Sequence, residues 1–384
     1  MRASNSILCI LTGIFEASGG LEAFNNDLLH AAAQSLRDRK WTVLLLNDGQ
    51  SSVADFEPNV RFHPCAVTKH RSLWKLKLAW HCLIHILTRR PALIVCGHIN
   101  FAPLCSFCHR VFGIEYAILA YGIEVWHVES RITRRAIADA VIVVCISRYT
   151  AQKVLEQVPG AQGKTVILPC TVDTDSFSPG IPAPGLAERY GLARGPIILT
   201  VGRICAAEDY KGHKVMLEAL VKVLKVKPET KYLIVGTGDL VPELKAKAKE
   251  LGIEGSVVFA GFVPAPGLVD HYRMCDVFAM PSKGEGFGIV FLEALACGRP
   301  VIAGNRDGSR DALLDGELGF LVDPDSPEAV AAALMDVLDE SVPGPRKNSD
   351  YLRHKTIEAF GKERFRERTG SVLCGILNAA HAAQ

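Results

Sequence analysis

The sequence has no apolar run of the length, about 18 residues, that a membrane-crossing helix needs. Its longest uncharged stretch, Pro91–His109, is interrupted by Gly97, Asn100 and Pro103. It has no excess charge of either sign: 43 Lys and Arg against 41 Asp and Glu leave a net charge of +2. A chain so balanced is not built around a polyanion, so no nucleic-acid partner is expected. A glycine-rich loop ending in Lys-Ser or Lys-Thr is missing too, which argues against an ATPase or kinase. Solenoid repeats and low-complexity tracts are also absent. Cysteine is not scarce, with twelve residues, but they follow no disulfide framework, and most sit in apolar runs where Cys acts as a small hydrophobe. Cys105 and Cys108, with His109 adjacent, have metal-ligand spacing, yet no second such pair lies nearby, so no metal is expected. Arg2 followed by Ile7–Phe15 has the outline of a signal peptide. Glu16, the Gly19-Gly20 pair and the lack of an A-x-A site favour a buried first strand instead, in a cytoplasmic protein.

What is present indicates two α/β domains. The 384 residues, 49% hydrophobic and 22% charged, exceed one core of ordinary size. Short apolar, β-branched runs alternate with helical patterns. In the first half they are Ile7–Thr12, Thr42–Asn47, Leu93–Cys96, Tyr116–Leu119, Val141–Cys145 and Thr165–Leu168. In the second they are Ile197–Val201, Lys231–Val235, Val257–Ala260, Val277–Met280, Pro300–Ala303 and Gly319–Leu321. Strands apolar throughout belong to parallel sheets covered on both faces. The expected fold is therefore two doubly wound Rossmann-like domains facing across a cleft. The Pro- and Gly-rich stretch 179–196 reads as the hinge. It separates an N-terminal domain, 1–178, from a C-terminal one, 197–365, with a last helix, 366–384, free to pack back on the N-terminal domain.

Three loops carry chemistry. In PSKGEGFGIVFLEALACGRP, residues 281–300, a strand runs into a glycine turn and then a helix. Gly284, Gly286 and Gly288 allow close backbone approach, and the amides at the helix start suit a phosphate. Glu285 in the turn can accept from sugar hydroxyls. Glu293, eight positions on, can hold a ribose diol, although among Phe291, Leu292, Ala294 and Leu295 a buried carboxylate needs a partner. In VGRICAAEDYKG, residues 201–212, Arg203 and Lys211 are suited to a pyrophosphate. Removing either should cost turnover more than folding. In the third loop Gly19 and Gly20 precede a helix and can present amides to a phosphate, without the full G-x-G-x-x-G spacing.

Together these segments resemble the family 4 retaining glycosyltransferases of GT-B fold, the glycosyl transferases group 1. The signature is the pair Glu285 and Glu293 inside GEGFGIVFLEALACGRPVIAG, supported by VGR…YKGH (201–213), LIVGTGD (233–239), GFVP (261–264) and ADAVIVVCISRYT (138–150). The resemblance implies a nucleotide-diphosphate sugar held mainly by the C-terminal domain and an acceptor held by the N-terminal one. It gives Arg203 and Lys211 the diphosphate, Glu285 the transferred sugar and Glu293 the ribose. The backbone of Gly286, Phe287, Gly288 and Ile289 falls beside the phosphates, Gly19 and Gly20 approach them from the other domain, and Phe262 and Val263 border the base. In many relatives a histidine near the reactive centre precedes a glycine in the first domain; here Tyr121 stands there and is counted as catalytic with Glu285, Arg203 and Lys211, with Glu124 and His127 close by as substitutes for the imidazole. The resemblance also implies a retaining transfer without a divalent ion, with the diphosphate leaving group neutralised by protein cations. It makes the protein a hexosyltransferase acting on a glycan, glycolipid or lipid-linked acceptor in envelope or exopolysaccharide assembly. A nucleotide-sugar epimerase and an inactive nucleotide-sugar-binding scaffold are the alternatives.

From Pro58 to Ile114 there are eight Lys or Arg and no Asp or Glu. Residues 70–90, HRSLWKLKLAWHCLIHILTRR, pair bases with Trp74, Trp80 and an apolar face. That composition suits peripheral contact with an anionic membrane, at the inner face of the cytoplasmic membrane, as well as it suits a core helix with a solvated basic side.

Overall fold

The computed structural model describes residues 5–15, 19–49, 56–66, 71–192, 195–339, 341 and 343–382. They belong to two compact units, one made of Met1–Cys170 with Lys362–Gln384 and the other of Thr171–Gly361.

The first unit holds a seven-stranded sheet: β1 (Ser6–Leu11), β2 (Lys40–Leu45), β3 (Val60–Pro64), β4 (Leu93–Cys96), β5 (Tyr116–Ala120), β6 (Ile142–Cys145) and β7 (Thr165–Ile167), in the order β3-β2-β1-β4-β5-β6-β7. Every pairing is parallel, with Ile10 of β1 opposite Leu44 on one side and Cys96 on the other. β4 and β5 are buried along their whole length, as their apolar sequences require. β3, VRFHP, was not expected. It is an edge strand with no buried residue, and it ends at Pro64, which cannot donate to a ladder. All twelve cysteines are free thiols and ten are buried, in keeping with the absence of a disulfide framework.

Helix Gly20–Ser35 buries Phe24, Leu28, Leu29, Ala31 and Ala32. Its neighbour is the last helix, Lys362–Ala382. Phe24 meets Phe365 edge to face at 5.8 Å, and Ser35 Oγ donates to Arg366 O at 3.2 Å.

The second unit holds β8 (Ile197–Val201), β9 (Lys231–Val235), β10 (Val257–Gly261), β11 (Val277–Met280), β12 (Val301–Gly304) and β13 (Phe320–Val322), all parallel, in the order β10-β9-β8-β11-β12-β13. Each coincides with an expected strand to within a residue at either end. The change of unit comes earlier than the Pro- and Gly-rich stretch, at Cys170, because hydrogen bonds tie 171–178 to the second unit. Thr171 Oγ1 and Val172 N donate to Phe360 O, Arg353 donates to Thr174 O and Phe177 O, and Arg273 Nε donates to Ser178 O. The stretch 179–196 is itself part of that unit, with Leu192 buried and the Tyr190 hydroxyl 3.2 Å from His271 Nε2.

In the second sheet strand order reverses between β8 and β11. Open α/β sheets bind ligands beyond the carboxyl ends of the strands at such a point. The loop after β8 carries Arg203 and Lys211, and the loop after β11 carries Glu285. The fold brings these two stretches, some eighty residues apart in sequence, side by side.

Candidate functional site

The two loops are locked to each other. Gly212 sits at φ 79°, where L side chains are strained, and a Cβ on it would lie 2.3 Å from Pro281 O. Lys283 N donates to Tyr210 O at 3.0 Å. The position a Cβ on Gly284 would occupy is 2.6 Å from the Tyr210 ring. Gly284 was expected to make room for a ligand; it makes room for Tyr210. Gly288, at φ 88°, is likewise fixed by its own helix, since a Cβ there would meet the Phe291 ring.

Side chains converge at this seam. Lys211 Nζ lies 3.1 Å from Glu285 Oε1 and 3.3 Å from Glu208 Oε2, and Arg203 pairs with the same Glu208 carboxylate. Lys211 is nearly enclosed. Burial acts to lower its pKa, but the Glu285 and Glu208 carboxylates outweigh it and hold the ammonium above the ordinary lysine value. Arg203, although paired with Glu208, is 77% exposed. Glu208 was not singled out in the sequence. The signal for it was its place between Arg203 and Lys211 in RICAAEDYK. It brings the cluster close to neutral, two cations against two carboxylates.

Helix Ile289–Ala296 begins beside Glu285. The first-turn amides of a helix have no intrahelical acceptor; Gly288 is the N-cap and Ile289 the first helical residue, with Phe287 directly before them. The Phe287 side chain points into the core, edge to face with Phe360 at 5.7 Å. Glu293, on the same helix, has the partner its apolar surroundings demand, because the Tyr272 hydroxyl donates to its Oε2 at 2.6 Å. Burial pushes the Glu293 carboxyl up to about 7, and the Tyr272 hydrogen bond acts in the opposite direction. Phe262, 65% exposed, and Val263 line a cavity of about 530 Å³ together with Tyr190, Asp270 and His271.

In the first unit, Gly19 precedes helix Gly20–Ser35 in extended conformation, and Glu22 stands in the first turn. Tyr121 does not present a free phenol. Its hydroxyl donates to Asn25 Oδ1 at 2.6 Å, and Asn25 Nδ2 donates to Gly13 O at 3.1 Å. Burial, with several nearby acidic groups, raises the Tyr121 pKa well above that of an ordinary phenol. This corrects the expectation of a catalytic Tyr121: the side chain pins the end of β5 to the first helix. Glu124 is committed to the backbone, accepting from Tyr121 N at 2.6 Å and Gly122 N at 3.2 Å. His127 is exposed. His98, at the carboxyl end of the neighbouring β4, was missed. Its Nδ1 accepts from Asn100 N at 3.2 Å, and burial lowers its pKa while Glu124 acts to raise it.

Cys105 and Cys108 face the core of the first unit with Cys82 and Cys96. Among the described residues no three His, Cys, Asp or Glu are grouped to hold a metal. Helix Arg71–Arg89 buries Leu78, Cys82 and Ile86 but leaves Leu73, Leu76, Trp80, Ile84 and Leu87 exposed along one face. No helix of the described residues is long and apolar enough to cross a membrane.

Residues 188–358 match the family model described as Glycosyl transferases group 1. The chain is 38% identical over 213 residues to a GDP-mannose-dependent alpha-(1-6)-phosphatidylinositol monomannoside mannosyltransferase of Mycolicibacterium smegmatis, covering 53% of this chain and 55% of that protein. It is 30% identical over 302 residues to a D-inositol 3-phosphate glycosyltransferase of Streptomyces avermitilis, covering 74% and 64%. The chain thus spans a little over half the length of the curated relatives it matches. Among solved structures it resembles sucrose-phosphate synthase from Thermosynechococcus elongatus, with TM-score 0.79, 21% identity and 97% and 99% of the two chains covered. It also resembles Anabaena HepE in complex with UDP, with TM-score 0.76, 19% identity and 96% and 100% covered. At these identities the likeness to solved structures is one of fold.

Proposed function

We propose that this chain, whose residues 188–358 belong to the glycosyl transferases group 1 family, is a retaining hexosyltransferase using a nucleotide-diphosphate sugar. The observation that carries the reading is the meeting of Arg203, Lys211 and Glu285 at the strand-order reversal of the second sheet, beside a helix start. A diphosphate there meets two cations and first-turn amides. Glu285 accepts from hydroxyls of the transferred sugar and Glu293 from the ribose diol.

In this reading the bond from the anomeric carbon to the diphosphate oxygen breaks with its electron pair going to that oxygen. Arg203, Lys211 and the helix dipole stabilise the charge that builds there. The acceptor hydroxyl bonds to the same face of the sugar and passes its proton to the departing phosphate oxygen, which accounts for retention without a protein nucleophile. These groups serve the leaving group without a required divalent ion. GDP-mannose is the first donor to try, because a relative 38% identical over 213 residues is named for it.

The acceptor is read as a glycolipid or lipid-linked glycan, delivered where the exposed face of helix Arg71–Arg89 rests on an anionic membrane. Leu76, Trp80 and Leu87 enter the headgroup boundary while Lys75, Arg89 and Arg90 meet lipid phosphates. This gives the protein a peripheral place at the cytoplasmic membrane and a part in envelope glycolipid or polysaccharide assembly.

The test is incubation with a panel of GDP-, UDP- and ADP-sugars, with and without EDTA. Slow donor hydrolysis insensitive to EDTA supports the reading. Epimer formation would make the protein an epimerase, and binding without turnover a scaffold.

A further inference from the structure

The turn that carries Glu285 is gripped by the loop after β12. Glu285 N donates to Asp307 Oδ2 at 2.7 Å, and Gly308 N donates to Glu285 O at 2.9 Å, so both polar groups on the Glu285 backbone are taken by adjacent residues of one neighbouring loop. Asp307 is 1% exposed, and its other oxygen accepts from Ser309 N at 3.0 Å, which fixes the carboxylate in place. The contact is at backbone distance: a Cβ on Gly308 would lie 2.0 Å from Gly286 O and 2.9 Å from Glu285 O. A buried carboxylate is a costly way to hold a turn, and burial pushes Asp307 up to about 6 against the hydrogen bonds that pull it down. Both bonds end on the residue whose side chain meets Lys211.

The geometry points to Asp307 as a positioning residue, whose carboxylate holds the Glu285 backbone and thereby sets Glu285 Oε1 at 3.1 Å from Lys211 Nζ. The inference rests on the reading of Glu285 as the carboxylate that contacts the transferred sugar. It adds a residue 22 positions downstream, outside the Glu285–Glu293 pattern, that acts only through Glu285. Misplacing a catalytic group by about 1 Å costs on the order of 100-fold in rate, so the expected loss is of that size and falls on kcat rather than on the donor KM.

A double-mutant cycle tests it. Donor turnover is measured for the native chain, Asp307→Ala, Glu285→Ala and the double variant, using whichever of GDP-mannose, UDP-glucose and ADP-glucose the native chain hydrolyses fastest. If Asp307 works through Glu285, its substitution lowers kcat in the native background and changes nothing further once Glu285 is alanine. Losses that multiply would overturn the role, since general damage to the fold does not depend on Glu285. Asp307→Asn, which keeps one acceptor oxygen, completes the cycle should the alanine variant fail to fold, with thermal melts monitoring every variant. Full turnover in Glu285→Ala, or no donor turnover by the native chain, would remove the functional reading and this role with it.

Discussion

The Tyr272 hydroxyl and Glu293 Oε2 are 2.6 Å apart, a phenol paired with a carboxyl on the adjoining helix. Because burial raises the Glu293 pKa from its ordinary value to about 7, the folded chain holds this proton where the unfolded chain has lost it. Stability must then fall as pH rises from about 4.5 to about 7 and level off above, since the unfolded state binds fewer protons across that window. Glu293→Gln keeps an acceptor for Tyr272 and has nothing to ionise. Its stability relative to the native chain is expected to rise by about 1–3 kcal/mol between pH 5 and pH 8. Urea melts at the two pH values check this, and a constant difference would refute it.

Lys211 and Arg203 are not equivalent, although both were expected to matter more for turnover than for folding. Lys211→Met strands Glu285 as an enclosed carboxylate and leaves Glu208 paired with Arg203 alone; breaking a buried pair costs about 3–5 kcal/mol, so this variant should melt well below the native chain. Arg203→Met, at an exposed position, should leave the melting temperature within a degree or two while donor turnover falls by about 100-fold. Calorimetry beside kinetics separates the two.

Glu208→Gln removes the carboxylate shared by Arg203 and Lys211 and leaves Lys211 paired with Glu285. Nucleoside diphosphates should bind this variant more tightly at low salt, by about 3- to 10-fold, and the gain should shrink as salt screens the exposed Arg203. Titration calorimetry with GDP and UDP at low and high salt gives the answer. Weaker binding would mean that Glu208 instead holds Arg203 in its working position.

Tyr121→Phe leaves Asn25 Oδ1 buried without its donor, a loss of about 1–3 kcal/mol. Turnover per folded molecule should be unchanged, because the phenol faces Asn25 and is not available for proton transfer. A drop in kcat at full folding would restore a catalytic Tyr121.

Replacing Leu76 and Trp80 with Ser removes exposed apolar surface without touching the buried face of Leu78, Cys82 and Ile86. Sedimentation with vesicles containing anionic phosphatidylglycerol should lose the protein, while the melting temperature holds. Binding unchanged by the double substitution would contradict the membrane contact.

What the sequence made legible follows local pattern. β4, β5 and the six strands of the second sheet are short apolar runs between breakers, and the Glu285 turn and Arg203–Lys211 loop announce themselves by glycine and charge. β3 was hidden because an exposed edge strand has no apolar signature. Asp307, Tyr272 and Asn25 were hidden for a different reason. They meet Glu285, Glu293 and Tyr121 from 22, 21 and 96 positions away, and no periodicity records which distant group satisfies a buried polar atom. Tyr121 was misjudged on the same ground, since its position was visible and its partner was not.

Helix Lys362–Ala382 completes the first unit although it follows the whole of the second in the chain. Leu28, Leu29 and Ala32 lie beside Leu373 and Ile376, so the part of their surface that this helix covers stays open until it is made. Each stands to gain or lose about 1.5–3 kcal/mol for a leucine-sized side chain. The later-made sheet can therefore mature during synthesis, while the earlier-made one must wait for the last helix and is the part that a nascent-chain chaperone would have to shelter.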